Sequence, residues 1–439
     1  MDIIVVWTVL IGLVLIAGLS NRIRNTVITW PMLYVLFGLA AGVLFSERIE
    51  LTFTDPSVEV VATLTLALVL ATDASRIKLE RPLSNYALPS RLLVIGLPLT
   101  IALGAVVADA LFGEVGIWEA AVLAVILAPT DASLGQSVVS NKLVPARIRQ
   151  ALNIESGLND GIAMPFLILT LSVAISTEQL LGSGSFLLLV AREVVFGILA
   201  GLLIGFLGAR YIQLGEKSGW MSGGFQKLCW LALIMVAYGT AVLVGGNGFI
   251  AAFVFGIVSG ELMSVRAMKS LDDFAEVING LLMLMTFILF GMVMVLPAFE
   301  RLNPTVLIYA ILSLTVVRML PVAVSLLGTK LRAVSVLFMG WFGPRGIASI
   351  LYVLTVFAAE DPEDIIGQET IYTVVMITIF MSVLAHGFTA APLSNWYGKY
   401  IKGLDKEGAA DSEMKPVPEM PTRVETAAPV AIVSEESSR

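Results

Sequence analysis

The sequence predicts an all-α polytopic membrane protein, and three observations carry that prediction. Of its 439 residues, 57% are hydrophobic and 14% are charged, where soluble domains hold about 25% charged residues. The apolar residues gather in blocks near the ~20 residues that a helix needs to cross a bilayer. The basic residues gather between those blocks, and almost entirely on alternate connections.

Thirteen blocks approach the length rule: residues 3–19, 28–45, 58–75, 91–111, 118–139, 149–174, 186–209, 226–244, 247–262, 274–297, 303–327, 334–358 and 370–393. Asp2 precedes the first, which has neither a basic flank nor a small-residue cleavage site, so it reads as a retained helix and not a signal peptide. The ninth is short and begins in the GGNG turn at 245–248. Pro89, Pro297, Pro304 and Pro362 lie near block ends, where proline costs least.

Placing the odd-numbered connections on one side gathers eighteen Lys and Arg there, from Arg22 and Arg24 through Lys78 and Arg81 to Lys399 and Lys402. Only Arg48 and Arg301 fall opposite. The positive-inside rule then puts the N-terminus outside and the C-terminus in the cytoplasm, across the plasma (inner) membrane. The outer connection at 359–369, AEDPEDIIGQE, is acidic and reads as a solvated loop. After about Asp405 the apolar period gives way to Glu, Pro, Ser, Ala and Thr. A transmembrane domain over 1–403 and a disordered cytoplasmic tail over 404–439 are expected. The single Cys229 excludes an intramolecular disulfide, and the single His386 excludes a multi-histidine metal centre. No cofactor and no nucleic-acid partner are expected.

The function is read from polar groups inside the blocks. In the sixth, LNIESGLNDGIAMP at 152–165 stacks Glu155 on Asn159 and Ser156 on Asp160, each pair at i, i+4, so all four share one helix face. Ionisable groups in hydrocarbon are expensive and read as functional by default. The fifth block holds LAPTDASLG with Pro129, Thr130 and Asp131; the twelfth holds WFGPRGIAS with Arg345 between glycines and a proline. Both should unwind there, and a pair of interrupted spans, one in each half of the chain, points to a transporter's midplane site. If the two breaks cross, like helix ends meet. Asp131 then offsets the positive ends and Arg345 the negative ends.

Arg318, in the eleventh block, needs an acid, and Glu155 is the candidate. Asp73 ends the third block as either an accessory acid or an interfacial residue, and His386 reads as a packing donor before a pH sensor. Asp160, reached by water from one side at a time, can hold a proton or a hard monovalent cation but hardly both. That competition is an exchange mechanism. Na⁺ or Li⁺ would take oxygens from Asp160, Ser156, Thr130 and water, while Asn159 orients the carboxylate. One exchanging acid argues for one cation per proton.

ESGLND at 155–160, PTDA at 129–132, the arginine-bearing eleventh span and GPRG at 343–346 together resemble the NhaP-type branch of the monovalent cation/proton antiporter family 1, over about residues 1–400. The resemblance implies an inverted-repeat fold with crossed discontinuous helices five and twelve, as a rule a homodimer. A core bundle would come from about 91–174 and 303–393, with the remaining helices as dimerisation scaffold. It implies ion binding at Asp160 with Thr130 and Ser156, and a structural Glu155–Arg318 pair. Asn159 before Asp160 resembles the electroneutral members. Ala132, where proline is common, and His386, where glutamine is common, depart from the pattern and bear on ion preference and pH profile. Competing readings are K⁺/H⁺ exchange on the same scaffold, Na⁺-coupled uptake of an organic anion, an intramembrane aspartyl protease built on Asp131 and Asp160, and a non-transporting structural or receptor role. Protease chemistry has no use for Asn159, Glu155 or the broken twelfth span.

Overall fold

Residues that cannot continue a helix, or that satisfy its free ends, decide where the apolar blocks start and stop. In the computed structural model, which describes residues 3–23, 28–49, 51–52, 55–77, 87–131, 133–175, 185–359, 367–405 and 412–417, all regular structure is helical. Arg24, Lys78, Arg81, Ala132, most of the acidic 359–369 connection and most of the tail lie outside the described residues.

The helices are α1 Ile3–Ile23, α2 Trp30–Leu44, α3 Pro56–Ser75, α4 Ala87–Leu111, α5 Ile117–Ile126, α6 Gln136–Val139, α7 Ala146–Ile175 and α8 Ser185–Lys217. There follow α9 Gly223–Leu243, α10 Gly248–Leu262, and α11 Val265–Leu289, which continues through a π-helical turn to Val295–Glu300. Last come α12 Pro304–Ser325, α13 Ala333–Trp341, α14 Ile347–Ala359 and α15 Gln368–Asp405. Proline opens α3 and α12 where its missing N–H is not needed. Asn303 caps α12 by accepting from Val306 N at 3.0 Å. In the GGNG turn, Asn247 accepts from Phe249 N and Ile250 N and so starts α10.

Every predicted block carries helix. Among the described residues, eight helices are long and apolar enough to cross a membrane, and five shorter apolar stretches of helix run 10–17 residues: this is a multi-pass membrane protein. Three helices outrun their blocks by two turns or more: α11 starts at Val265, nine residues before its block. α8 reaches Lys217, and α15 reaches Asp405 because Ser394, Tyr397, Gly398 and Ile401 continue a buried stripe at helical spacing. Tyr397 stacks on Phe338 of α13, with ring centroids 4.1 Å apart. The π-helical turns at Leu92–Gly96 and Phe290–Met294 leave no mark in the hydropathy pattern.

The centre of the bundle needs small residues. A β-carbon on Gly256 or Gly260 of α10 would collide with the carbonyl oxygens of Ala71 and Ser75 in α3. The two backbones therefore touch, as small-residue contacts allow when lipid supplies no hydrophobic push between helices. Gly256→Ala should lower stability by about 1–3 kcal/mol by overpacking, read as a lower melting midpoint of purified protein in detergent. Gly239→Ala, which meets nothing within 4 Å, should leave the midpoint where it is.

Candidate functional site

α5 and α13 are about 15 Å and 14 Å long at ~1.5 Å per residue, half of a bilayer crossing, and each ends where proline and glycine break the ladder. The broken stretches lie against each other. Asp131 N donates to Pro344 O at 2.8 Å. The Arg345 guanidinium donates to Ala128 O at 2.8 Å and to Pro129 O at 3.3 Å, at the carbonyl end of α5. Asp131 accepts from Ile347 N, the first residue of α14, at 2.8 Å, and from the Ser133 amide and hydroxyl at 2.8 and 2.6 Å. A negative group thus sits at helix N-ends and a positive one at a C-end, matching the helix dipoles. Gly343 and Gly346 leave the room this needs, since a β-carbon at either would fall on the Arg318 guanidinium or the Asp131 carboxylate.

The carbonyl end of α13 also has a side-chain partner. His386 Nε2 lies 2.9 Å from Trp341 O and Nδ1 2.9 Å from Ser382 O, with the imidazole stacked on the Trp341 ring. Ser382 in turn accepts from Arg345 N at 2.7 Å. Ser349 donates from α14 to Ile126 O at 2.7 Å. Nothing in the sequence marks Ser349 or Ser382. The sequence reads His386 as a packing donor, and the fold supplies its partner, a carbonyl that the break after Trp341 leaves to be met.

α7 runs without a break from Ala146 to Ile175 despite Gly157, Gly161 and Pro165, so Glu155, Ser156, Asn159 and Asp160 share one face as their spacing predicts. Thr130, from the break after α5, reaches that face. Asn159 Nδ2 donates to Thr130 Oγ1 at 2.7 Å, and Thr130 Oγ1 is 2.9 Å from Ser156 Oγ. Tyr352 of α14, unforeseen from sequence, donates its hydroxyl to the backbone carbonyl of Asp160. Asp160 is 5% exposed, so its carboxyl is held inside the bundle.

Glu155 Oε1 and Arg318 Nη1 form a buried ion pair at 2.6 Å. Arg318 does not snorkel. Its Nε and Nη2, Glu155 Oε2 and Asn159 Oδ1 have no hydrogen-bond partner among the described residues. Asp73 is brought to α7 as well: its Cβ is 3.6 Å from where a β-carbon on Gly157 would stand. Asp73 also lies 4.0 Å from Arg76, which is 3.8 Å from Asp272 of α11. No three His, Cys, Asp or Glu side chains converge as a metal cage among the described residues. The arrangement instead puts the buried Asp160 carboxyl on the helix face that carries the Ser156 hydroxyl and the Asn159 amide, a set suited to a single small cation or a proton. Glu155 pairs with Arg318, and Asp131 with backbone amides.

Glu155→Ala should destabilise the protein by about 3–5 kcal/mol, the cost of leaving a buried guanidinium without its partner, measured by thermal unfolding in detergent. Replacing both residues should recover part of that loss, because it removes the orphaned charge.

Comparisons with known proteins bear on the family and the fold. The chain is 25% identical to the K⁺/H⁺ antiporter NhaP of Alkalimonas amylolytica over 413 residues, covering 92% of this chain and 68% of that one. It is also 25% identical to a probable Na⁺/H⁺ antiporter of Schizosaccharomyces pombe over 64% of this chain, but spans only 41% of that relative's length. It shares its fold with the sodium proton antiporter MjNhaP1 from Methanocaldococcus jannaschii, at a TM-score of 0.70 and 19% identity, covering 87% of this chain and 97% of that one. The model of the sodium/hydrogen exchanger transmembrane family matches residues 9–396. The chain belongs to the sodium/hydrogen exchanger family.

Proposed function

We propose that this protein exchanges a monovalent cation for a proton by alternating access, with the two competing for Asp160. The observation that carries this reading is the buried Asp160 carboxyl on the α7 face that also presents Ser156 and Asn159 to Thr130, the other acid of that face, Glu155, being held by Arg318. A proton neutralises that carboxyl, and so does a cation whose lost hydration is replaced by oxygen ligands. The empty charged site is the costly state in low dielectric, so the site crosses the membrane loaded with one or the other. One acid next to a neutral Asn159 makes the exchange one for one and electroneutral.

In this reading Thr130 and Ser156 offer neutral oxygens to the cation, and Asn159 fixes Thr130. Glu155 and Arg318 hold α7 to α12, while Asp131 and Arg345 compensate the half-helix ends. Asp73, close to Gly157, serves as an accessory acid on the approach to the site. The expected frame is thirteen crossings with the N-terminus outside and the C-terminus in the cytoplasm of the inner membrane. The chain works as a homodimer whose moving core comes from about 91–174 and 303–393.

Na⁺, with Li⁺ as a surrogate, is the cation assigned first. K⁺ is the second reading, supported by the antiporter of Alkalimonas amylolytica that carries K⁺ in its name. Proteoliposomes holding an internal pH dye test both. Adding Na⁺, Li⁺ or K⁺ outside should drive proton efflux from wild type and none from Asp160→Asn. The cation giving the largest flux at equal concentration names the substrate. Equal flux from wild type and Asp160→Asn would remove Asp160 from the exchange.

A further inference from the structure

Part of the polar stretch beyond α15 returns to the bundle. Glu413 is 1% exposed. Its Oε1 accepts from Arg332 N and from the Ser335 hydroxyl, both at 2.8 Å. Arg332 is the N-cap residue of α13, and Ser335 lies in its first turn. Ser412, next to it, accepts from Arg147 in the first turn of α7 through both its carbonyl and its hydroxyl, and its hydroxyl donates to Thr329 O at 3.2 Å. Ser335 also accepts from Tyr397 of α15 at 2.9 Å. Two residues therefore join α7, the connection into α13, α13 itself and, through Ser335, α15.

α13 has need of such a partner. Its N-cap is an arginine that provides no side-chain acceptor, and its first turn contains no acid. An arginine there places a cation at the positive end of the helix dipole. The connection before it holds Lys330 at φ 62°, a left-handed conformation that a β-carbon disfavours. Glu413 supplies from a distance both the acceptor and the negative charge that a helix start normally takes from its own sequence.

We propose that Ser412 and Glu413 form a permanent clasp that fixes the start of α13 to α7, which makes Glu413 a positioning residue for exchange. α13 leads directly into the break that holds Arg345, and α7 carries Asp160 thirteen residues, or ~20 Å, from Arg147. The clasp keeps the two elements in register while the loaded site moves. Its effect on transport rests on the exchange reading above; its docking does not.

The test compares the full chain, the chain ended after Val417, the chain ended after Asp405, Glu413→Ala and Glu413→Gln in proteoliposomes. Ending after Val417 should leave exchange unchanged. Ending after Asp405, or Glu413→Ala, should lower turnover about fivefold or more, the scale of a lost helix cap, with the KM for the cation unchanged because Asp160 is remote. Glu413→Gln, which keeps an acceptor, should fall between. Full turnover in both Glu413→Ala and the chain ended after Asp405 would overturn the clasp. Docking is read separately, so that a poorly folding variant does not decide the matter. Ser412→Cys and Thr329→Cys are combined on a Cys229→Ser background and joined by oxidation or a short bismaleimide. Cross-linking with exchange retained supports a permanent clasp. Absence of cross-linking, or cross-linking that stops exchange, overturns it. A full chain that moves no protons with any cation would instead sink the exchange reading, and the cross-link would still decide the docking.

Discussion

The structure depends on one constraint: backbone amides and carbonyls freed at membrane depth must find partners without water. Breaking α5 and α13 frees two sets of them. The two breaks answer each other, because Arg345 from one meets the carbonyl end of α5 while Asp131 from the other meets the start of α14. Neither break is satisfied alone. That mutual dependence explains why glycine sits at 346, where any side chain would displace the Asp131 carboxylate, while Gly343 leaves room for Arg318.

The same contacts decide what can move. Asp131 N on Pro344 O, and Ser349 on Ile126 O, join the two breaks to each other. Thr130 joins them to α7, and Tyr352 joins α14 to the Asp160 carbonyl. Water access to Asp160 is therefore expected to change by movement of this unit as a body against helices such as α3 and α10, and not by rearrangement within it. The Glu155–Arg318 pair contributes in the same way. Its net stabilisation is small once desolvation is counted, yet each partner makes removal of the other costly.

Much of this was legible in the sequence, for physical reasons that can be named. Pro129 beside Asp131, and Gly343, Pro344 and Gly346 around Arg345, mark breaks because proline removes a ladder bond next to a charge that can meet the freed backbone. Pro165, without such a charge, leaves α7 continuous. The i, i+4 spacing of Glu155 with Asn159 and of Ser156 with Asp160 fixes a shared face once α7 is helical. A buried guanidinium at 318 demanded an acid, and Glu155 is the acid it meets. Hidden from the sequence were contacts made by ordinary residue types. Tyr352, Ser349 and Ser382 look like any span residue until the fold brings them to a carbonyl or an amide. Asp73 read as either an accessory acid or an interfacial group, and only the packing of α3 on α7 brings it beside Gly157. Glu413 lay in a stretch whose composition predicts no order, and a two-residue contact is too short to leave a periodic signal.

The central claim is that proton and cation compete for one carboxyl, and proton release on cation binding to purified protein tests it most directly. Na⁺ or K⁺ is added to the protein in weakly buffered detergent solution with a pH dye, so that no gradient or leak contributes. The account predicts release of up to one proton per site, declining as the starting pH rises and Asp160 is already deprotonated, and absent in Asp160→Asn. Cation binding with no proton release, or equal release from Asp160→Asn, would contradict it.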